Sequence, residues 1–132
     1  MQMNYALMSS GLMALLLFAL SFMVSMTRTR EKRLYGSEED PASWLTKIVR
    51  AQGNATEYIP ILLILMLLLE MEGTANWADY VYLAACASRY FHAAGMLLSK
   101  SLNEPHPLRF IGSLGTYICG LILTSLLIQA AL

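Results

Sequence analysis

Four long apolar stretches, joined by short polar connections, leave a chain of 132 residues one environment in which to fold. Each stretch is long enough to cross a bilayer, which takes about 20 residues of helix. The predicted spans are residues 4–27, 44–71, 75–98 and 108–131. In hydrocarbon every backbone N–H and C=O must be satisfied within the protein, so the spans form helices. Composition agrees: 57% of residues are hydrophobic, 14% are charged and the mean hydropathy is +0.52, too apolar for a soluble domain of this size. The expectation is an all-α membrane protein, a four-transmembrane-helix bundle forming a single domain over residues 1–132.

The first apolar run differs from a cleaved signal peptide. It has no basic segment before it, and its apolar length exceeds the usual stretch of about 7–15 residues. Arg28, Arg30, Lys32 and Arg33 follow it directly, as they would a retained helix. The connection after span 1 also leads to Lys47, and the one after span 3 holds Lys100 and ends near Arg109. The connection between spans 2 and 3 offers Glu70, Glu72 and Asp79 and no basic residue. The positive-inside rule then puts the first and third connections in the cytoplasm and both termini on the other side. Nine basic residues balance nine acidic ones, so nothing points to nucleic acid. Cys86 and Cys119 fall inside spans and read as small packing residues, with no disulfide and no metal site expected.

The connections carry recognisable turn chemistry. Residues 36–41, Gly-Ser-Glu-Glu-Asp-Pro, read as a linker, and Ser43 is placed to cap the second helix. Gly73 suits a helix C-terminus. Pro105 and Pro107 stop the third helix and permit the fourth to begin.

Against this apolar background one row of polar side chains stands out. Arg50, Asn54 and Glu57 fall within about 60° of one another at 100° per residue, and form one stripe on the second helix. Tyr58 lies on its flank and Gln52 points elsewhere. Ionisable groups at membrane depth are costly and mark working sites more often than not. A cation, an amide and a carboxylate in one row form a template for a small zwitterionic ligand. Span 3 adds Arg89 and His92 on one face with Tyr82, Cys86 and Met96. By topology Arg50, Glu57, Arg89, His92, Arg109, Arg28 and Arg30 all belong to one cytoplasmic-side layer.

The row Arg50-Ala-Gln-x-Asn54-x-x-Glu57-Tyr-x-Pro60 resembles the second-helix motif of the MAPEG family, the membrane-associated proteins in eicosanoid and glutathione metabolism. Length, four spans and the other arginines agree, and the likeness is nearest to short bacterial members, with Arg33-Leu-Tyr-Gly36 after the helix-1 basic cluster. The resemblance implies a homotrimer in the bacterial inner membrane, with glutathione bound between subunits and open to the cytoplasm and bilayer. Carried over by position, Arg50, Gln52, Asn54, Glu57, Tyr58, Arg89 and His92 resemble the family's glutathione-binding residues. Arg28 or Arg30 matches a helix-1 arginine. Arg109 resembles the arginine that stabilises the glutathione thiolate, the catalytic role. Met96 stands where many family enzymes have Tyr, and the connection before Arg109 is longer than in eukaryotic members.

The chemistry suits glutathione as co-substrate, without a metal. Arginine grips carboxylates with paired, charge-assisted bonds. Glu57 suits the ammonium and Asn54 the peptide. A thiol of pKa about 8.5 becomes more nucleophilic as thiolate when a cation adjoins it. The implied activity is a glutathione transferase or peroxidase acting on lipophilic electrophiles or hydroperoxides, a detoxification role, with the hydrophobic second substrate arriving from the lipid. Two other functions fit the architecture. One is a non-catalytic lipid-binding or scaffold member of the family, against which the complete stripe argues. The other is a small multidrug transporter, whose class needs a carboxylate in helix 1; residues 4–27 contain none.

Plainer roles accompany each residue. Glu57 and Arg89 admit a structural ion pair between helices 2 and 3. Tyr58 and His92 suit interfacial packing, and Arg28, Arg30 and Arg109 suit the membrane surface. Pro60 reads as a structural bend, and Tyr80, Tyr82 and Tyr117 as core or interfacial belt. Gly112, Thr116 and Gly120 read as a close helix contact.

Overall fold

A computed structural model describes residues 4–73 and 76–132. Its four helices are α1 (Tyr5–Arg30), α2 (Trp44–Glu72), α3 (Ala78–Leu98) and α4 (Pro107–Ala130). The expected start of span 3 at Ala75 lies outside the described residues, as does Thr74.

Local chemistry sets each boundary. Asn4 caps α1 by accepting a bond from the Leu7 amide at 2.8 Å, and Ser43 caps α2 by accepting from the Thr46 amide at 3.1 Å. Gly73 closes α2 at φ 72°, a left-handed conformation that a Cβ would strain. Pro107 opens α4, where the amide it lacks would have had no helical partner. Arg28 and Arg30 belong to the last turn of α1 rather than to the loop. There Arg28 Nη2 donates to the Gly36 carbonyl at 3.0 Å and folds back the connection between α1 and α2.

Three helices, α1, α2 and α4, are long and apolar enough to cross a membrane; α3 is not apolar enough. Sequence reading expected four spans; α3 is the more polar one, and burial within the bundle is what accommodates its polar residues. At 21 residues α3 is about 31 Å long, enough for the hydrocarbon core. It packs against all three other helices. A helix so surrounded can carry Ser88, Arg89 and His92 on buried faces, because protein rather than lipid meets them.

The core is knit by close approaches of α3 and α4. A Cβ on Gly112 would collide with the His92 backbone, one on Gly95 with the Arg109 backbone, and one on Gly115 with the Ser88 hydroxyl. These glycines let the backbones close in. Of the expected small-residue row, Gly112 makes such a contact and Thr116 is buried. A Cβ on Gly120 would meet nothing within 4 Å, so Gly120 makes no such contact within the chain. Cys86 and Cys119 are both free and buried.

Candidate functional site

The buried row of α2 is wholly apolar where it passes the site: Ile48, Ala51, Ala55, Ile59 and Leu62. That row turns the polar stripe toward the edge of the bundle. Asn54 is half-buried and looks inward, while Arg50 and Glu57 lie outside. Pro60 follows directly; without an amide hydrogen it leaves the Thr56 carbonyl without its usual helical donor.

The centre of the site is Arg89, of whose surface only 2% is exposed. Its Nη2 donates to Asn54 Oδ1 at 2.5 Å and its Nη1 to Thr116 Oγ1 at 3.3 Å. Its guanidinium carbon lies 5.1 Å from the centroid of the Tyr58 ring, a cation–π arrangement. Three helices therefore hold one cation without a carboxylate in direct contact, among the described residues. The Arg89 Nε and His92 Nδ1 are buried with no hydrogen-bond partner. A buried charge satisfied only by neutral groups, next to orphaned polar atoms, suits an arriving anionic or polar ligand.

The structural pairing of Glu57 with Arg89 is corrected. Glu57 Oε1 faces Arg50 Nη1 at 3.9 Å, and Asn54 takes Arg89 instead. Glu57 comes three residues after Asn54, and that step rotates it off the α3-facing edge. Both side chains of the Arg50–Glu57 pair are 55% exposed. Glu57 stands 13 residues after Trp44, about 20 Å along a helix long and apolar enough to cross a membrane. An outward carboxylate on such a helix calls for a polar neighbour.

The remaining residues of the expected layer bond to different partners. Gln52 turns toward α1, its Nε2 reaching Ser21 Oγ at 3.4 Å and Thr56 Oγ1 at 3.1 Å. His92 is buried against the backbone at Gly112. Arg109 Nη1 donates to the carbonyls of Leu102 at 2.9 Å and Glu104 at 3.4 Å, so it braces loop 3, the connection between α3 and α4. Arg30 lines a groove with Phe22, Met26 and Trp44 on the outer side of α1. Neither Arg28 nor Arg30 bonds to the α2 stripe of its own chain among the described residues. Met96 is buried in the core.

Sequence reading missed two participants. Thr116 was placed in a packing row, yet its hydroxyl accepts from Arg89 while donating to the Gly112 carbonyl at 2.7 Å. Tyr117, read as core or belt, is half-exposed, and its hydroxyl lies 3.4 Å from that of Tyr58. The signal for Thr116 was available: a hydroxyl on an apolar helix, level with an unpaired arginine, needs a partner. Tyr117 gave no comparable signal.

Known proteins resemble this chain over the same elements. The MAPEG family model matches residues 6–129, from the first turn of α1 to the last of α4. Inner membrane protein YecN of Escherichia coli, in strain K12 and in an O6:H1 strain, is 38% identical over 92 residues. The match covers 69% of this chain and 66% of YecN, slightly under two-thirds of the relative's length. With the motif on α2, four helices and a family match along their whole course, the chain belongs to the MAPEG family.

Proposed function

We propose that this membrane protein is a glutathione-dependent transferase or peroxidase, which activates the thiolate of glutathione for attack on lipophilic electrophiles or hydroperoxides. The observation that carries the reading is the outward pair Arg50–Glu57 beside the bond from buried Arg89 to half-buried Asn54. One face of α2 thereby offers a cation and a carboxylate to a ligand, with a second cation behind them. Glutathione presents two carboxylates, an ammonium and a thiol, and that array is its complement. Arg50 pairs with a carboxylate, Glu57 with the ammonium, and the peptide bonds to Asn54 or a neighbouring amide. The pair's exposure in the single chain suits a site completed by a neighbouring subunit, as in a homotrimer. Arg28, Arg30 or Gln52 from that neighbour would then complete the grip.

Arg109 supplies the field that favours thiolate. One of its nitrogens holds loop 3, and Nη2 and Nε make no hydrogen bond among the described residues. His92 of α3 and Tyr58 of α2, whose ring faces Tyr117 of α4, bound the site. MAPEG members include both glutathione transferases and non-catalytic proteins, and the second reading here is a lipid-binding scaffold, supported by the apolar groove beside Tyr58.

Titration of the detergent-purified protein with glutathione, followed by thiolate absorbance, separates the two. Saturable absorbance that disappears in Arg50→Ala and Glu57→Ala is the expected result. Absence of saturable binding at millimolar glutathione would sink the transferase and leave the scaffold.

A further inference from the structure

Loop 1, the connection between α1 and α2 over residues 31–43, lies against loop 3 over residues 99–106. The Leu102 amide joins them by donating to the Pro41 carbonyl at 3.0 Å. Loop 1 is held from its own side as well. Thr46 Oγ1 donates to the Glu38 carbonyl at 2.8 Å, and the Asp40 carboxylate accepts from the Ala42 amide at 2.8 Å. Close by, Lys47 Nζ donates to the carbonyl of buried Ser99 at 3.2 Å. Helix α3 has no basic residue in its last turn, so Lys47 of α2 supplies the cation that its C-terminus favours. Loop 3 is thereby tied at Ser99 and again at Leu102.

The Leu102 peptide unit works in two directions. Its N–H goes to loop 1, and its carbonyl accepts from Arg109 Nη1 at 2.9 Å. The Glu104 amide donates to the Ser101 carbonyl at 3.2 Å, which makes Leu102 and Asn103 the corners of a β-turn. Neither corner has a positive φ. The backbone of Arg109 is fixed by other means, since it lies so close to Gly95 that a Cβ there would collide with it. What loop 3 decides is the side chain. An arginine stem has several torsions to lose, and anchoring Nη1 on the Leu102 and Glu104 carbonyls removes that freedom.

We propose that Leu102 is a positioning residue: through its amide, loop 1 holds the turn whose carbonyl aims Arg109 at the bound thiol. Loop 1 therefore sets how much thiolate the site makes. A guanidinium favours thiolate through its field, which falls with distance, so a stem free to swing into water stabilises thiolate less. The inference rests on the role given to Arg109 in the proposed function and adds the element that controls it.

Leu102→Pro tests the link without touching a charge. Proline suits the first corner of such a turn and keeps the carbonyl for Arg109, but has no N–H to offer Pro41. Leu102→Ala removes the same partly buried side chain while keeping the amide, and is the rescue. Thiolate absorbance of glutathione on the full-length purified protein is followed against pH. Binding of S-methylglutathione, which has no thiol, reads the grip alone, and amide exchange at Ala42 and Ser43 reads loop 1. In Leu102→Pro the apparent pKa of the bound thiol should rise by about one unit, about tenfold less thiolate at a pH below it. Leu102→Ala should stay within about 0.2 unit of the parent. Exchange in loop 1 should quicken in Leu102→Pro alone, and S-methylglutathione affinity should hold within about twofold in both variants. Should Leu102→Pro fail to assemble, Thr46→Val loosens loop 1 by freeing the Glu38 carbonyl, and should lower thiolate about threefold.

Quickened exchange with an unchanged thiol pKa overturns the positioning role and leaves the transferase standing. An equal rise in both Leu102 variants assigns the effect to side-chain packing and overturns the amide link. For Thr46→Val, an unchanged thiol pKa overturns the control by loop 1. No thiolate and no S-methylglutathione binding in the parent protein overturns the transferase, and with it the role of Leu102; a difference in exchange then marks a structural brace.

Discussion

The Asn54–Arg89 bond joins α2 to α3 at the heart of the site, and its removal gives a measurable free energy. Asn54→Ala deprives a buried guanidinium of its shortest partner, 2.5 Å away. A bond to a charged group contributes about 1.5–3 kcal/mol in soluble proteins. Interhelical bonds within membranes average about 0.6 kcal/mol and reach about 1.7 kcal/mol. Arg89 is 2% exposed and its remaining hydrogen-bond partner is Thr116 at 3.3 Å, so the upper end of the membrane range applies. The expected cost of Asn54→Ala is about 1.5 kcal/mol. Arg89→Met removes the charge as well as the bond, and replacing a desolvated ion by an apolar group of similar length is often nearly neutral. In the Arg89→Met background the cost of Asn54→Ala should then fall below about 0.5 kcal/mol, giving a coupling of about 1 kcal/mol. Unfolding by sodium dodecyl sulfate, followed by the fluorescence of Trp44 and Trp77 at opposite ends of the bundle, measures all corners of the cycle. Additive effects, with coupling under about 0.3 kcal/mol, would refute the claim that this bond holds the site together.

Three further outcomes follow from the geometry. Gly112→Ala forces α3 and α4 apart at His92 and should destabilise by about 1–3 kcal/mol, whereas Gly120→Ala should be neutral or slightly stabilising; equal losses in the same unfolding assay would contradict the packing described. Arg109→Ala should retain glutathione binding but lose thiolate absorbance, and faster amide exchange across loop 3 should accompany it, since two carbonyls lose their donor. Normal absorbance would remove Arg109 from the thiolate role. Exchange of charges in Arg50→Glu/Glu57→Arg should leave stability within about 0.5 kcal/mol, because the pair is long and half-exposed, yet abolish glutathione binding; retained binding would show that the ligand does not read the order of those charges.

Much of the site was legible because it rests on helical period and charge. Arg50, Asn54 and Glu57 share a stripe by rotation alone, and Tyr58 flanks it, as found. Ser43, Gly73 and Pro107 announced helix ends through backbone chemistry that acts locally. The partner of Arg89 was not legible in this way. Asn54 and Glu57 both lie near the facing edge of α2, and a rotation of a few tens of degrees decides between them. That rotation depends on how Ala51, Ala55 and Ile59 settle into the bundle.

What the sequence by itself determined is the environment and the inventory: hydrophobic length makes membrane helices, and their period aligns the polar groups on α2. The tertiary structure decided which groups meet. It enclosed α3 so that a polar helix could stand among apolar ones, gave Arg89 to Asn54 and Thr116, and left Arg50 and Glu57 facing outward. It also hollowed a groove at Gly120, because nothing on the neighbouring helices approaches it. Contacts between helices depend on their relative rotation and depth, and no periodicity within one helix carries that information.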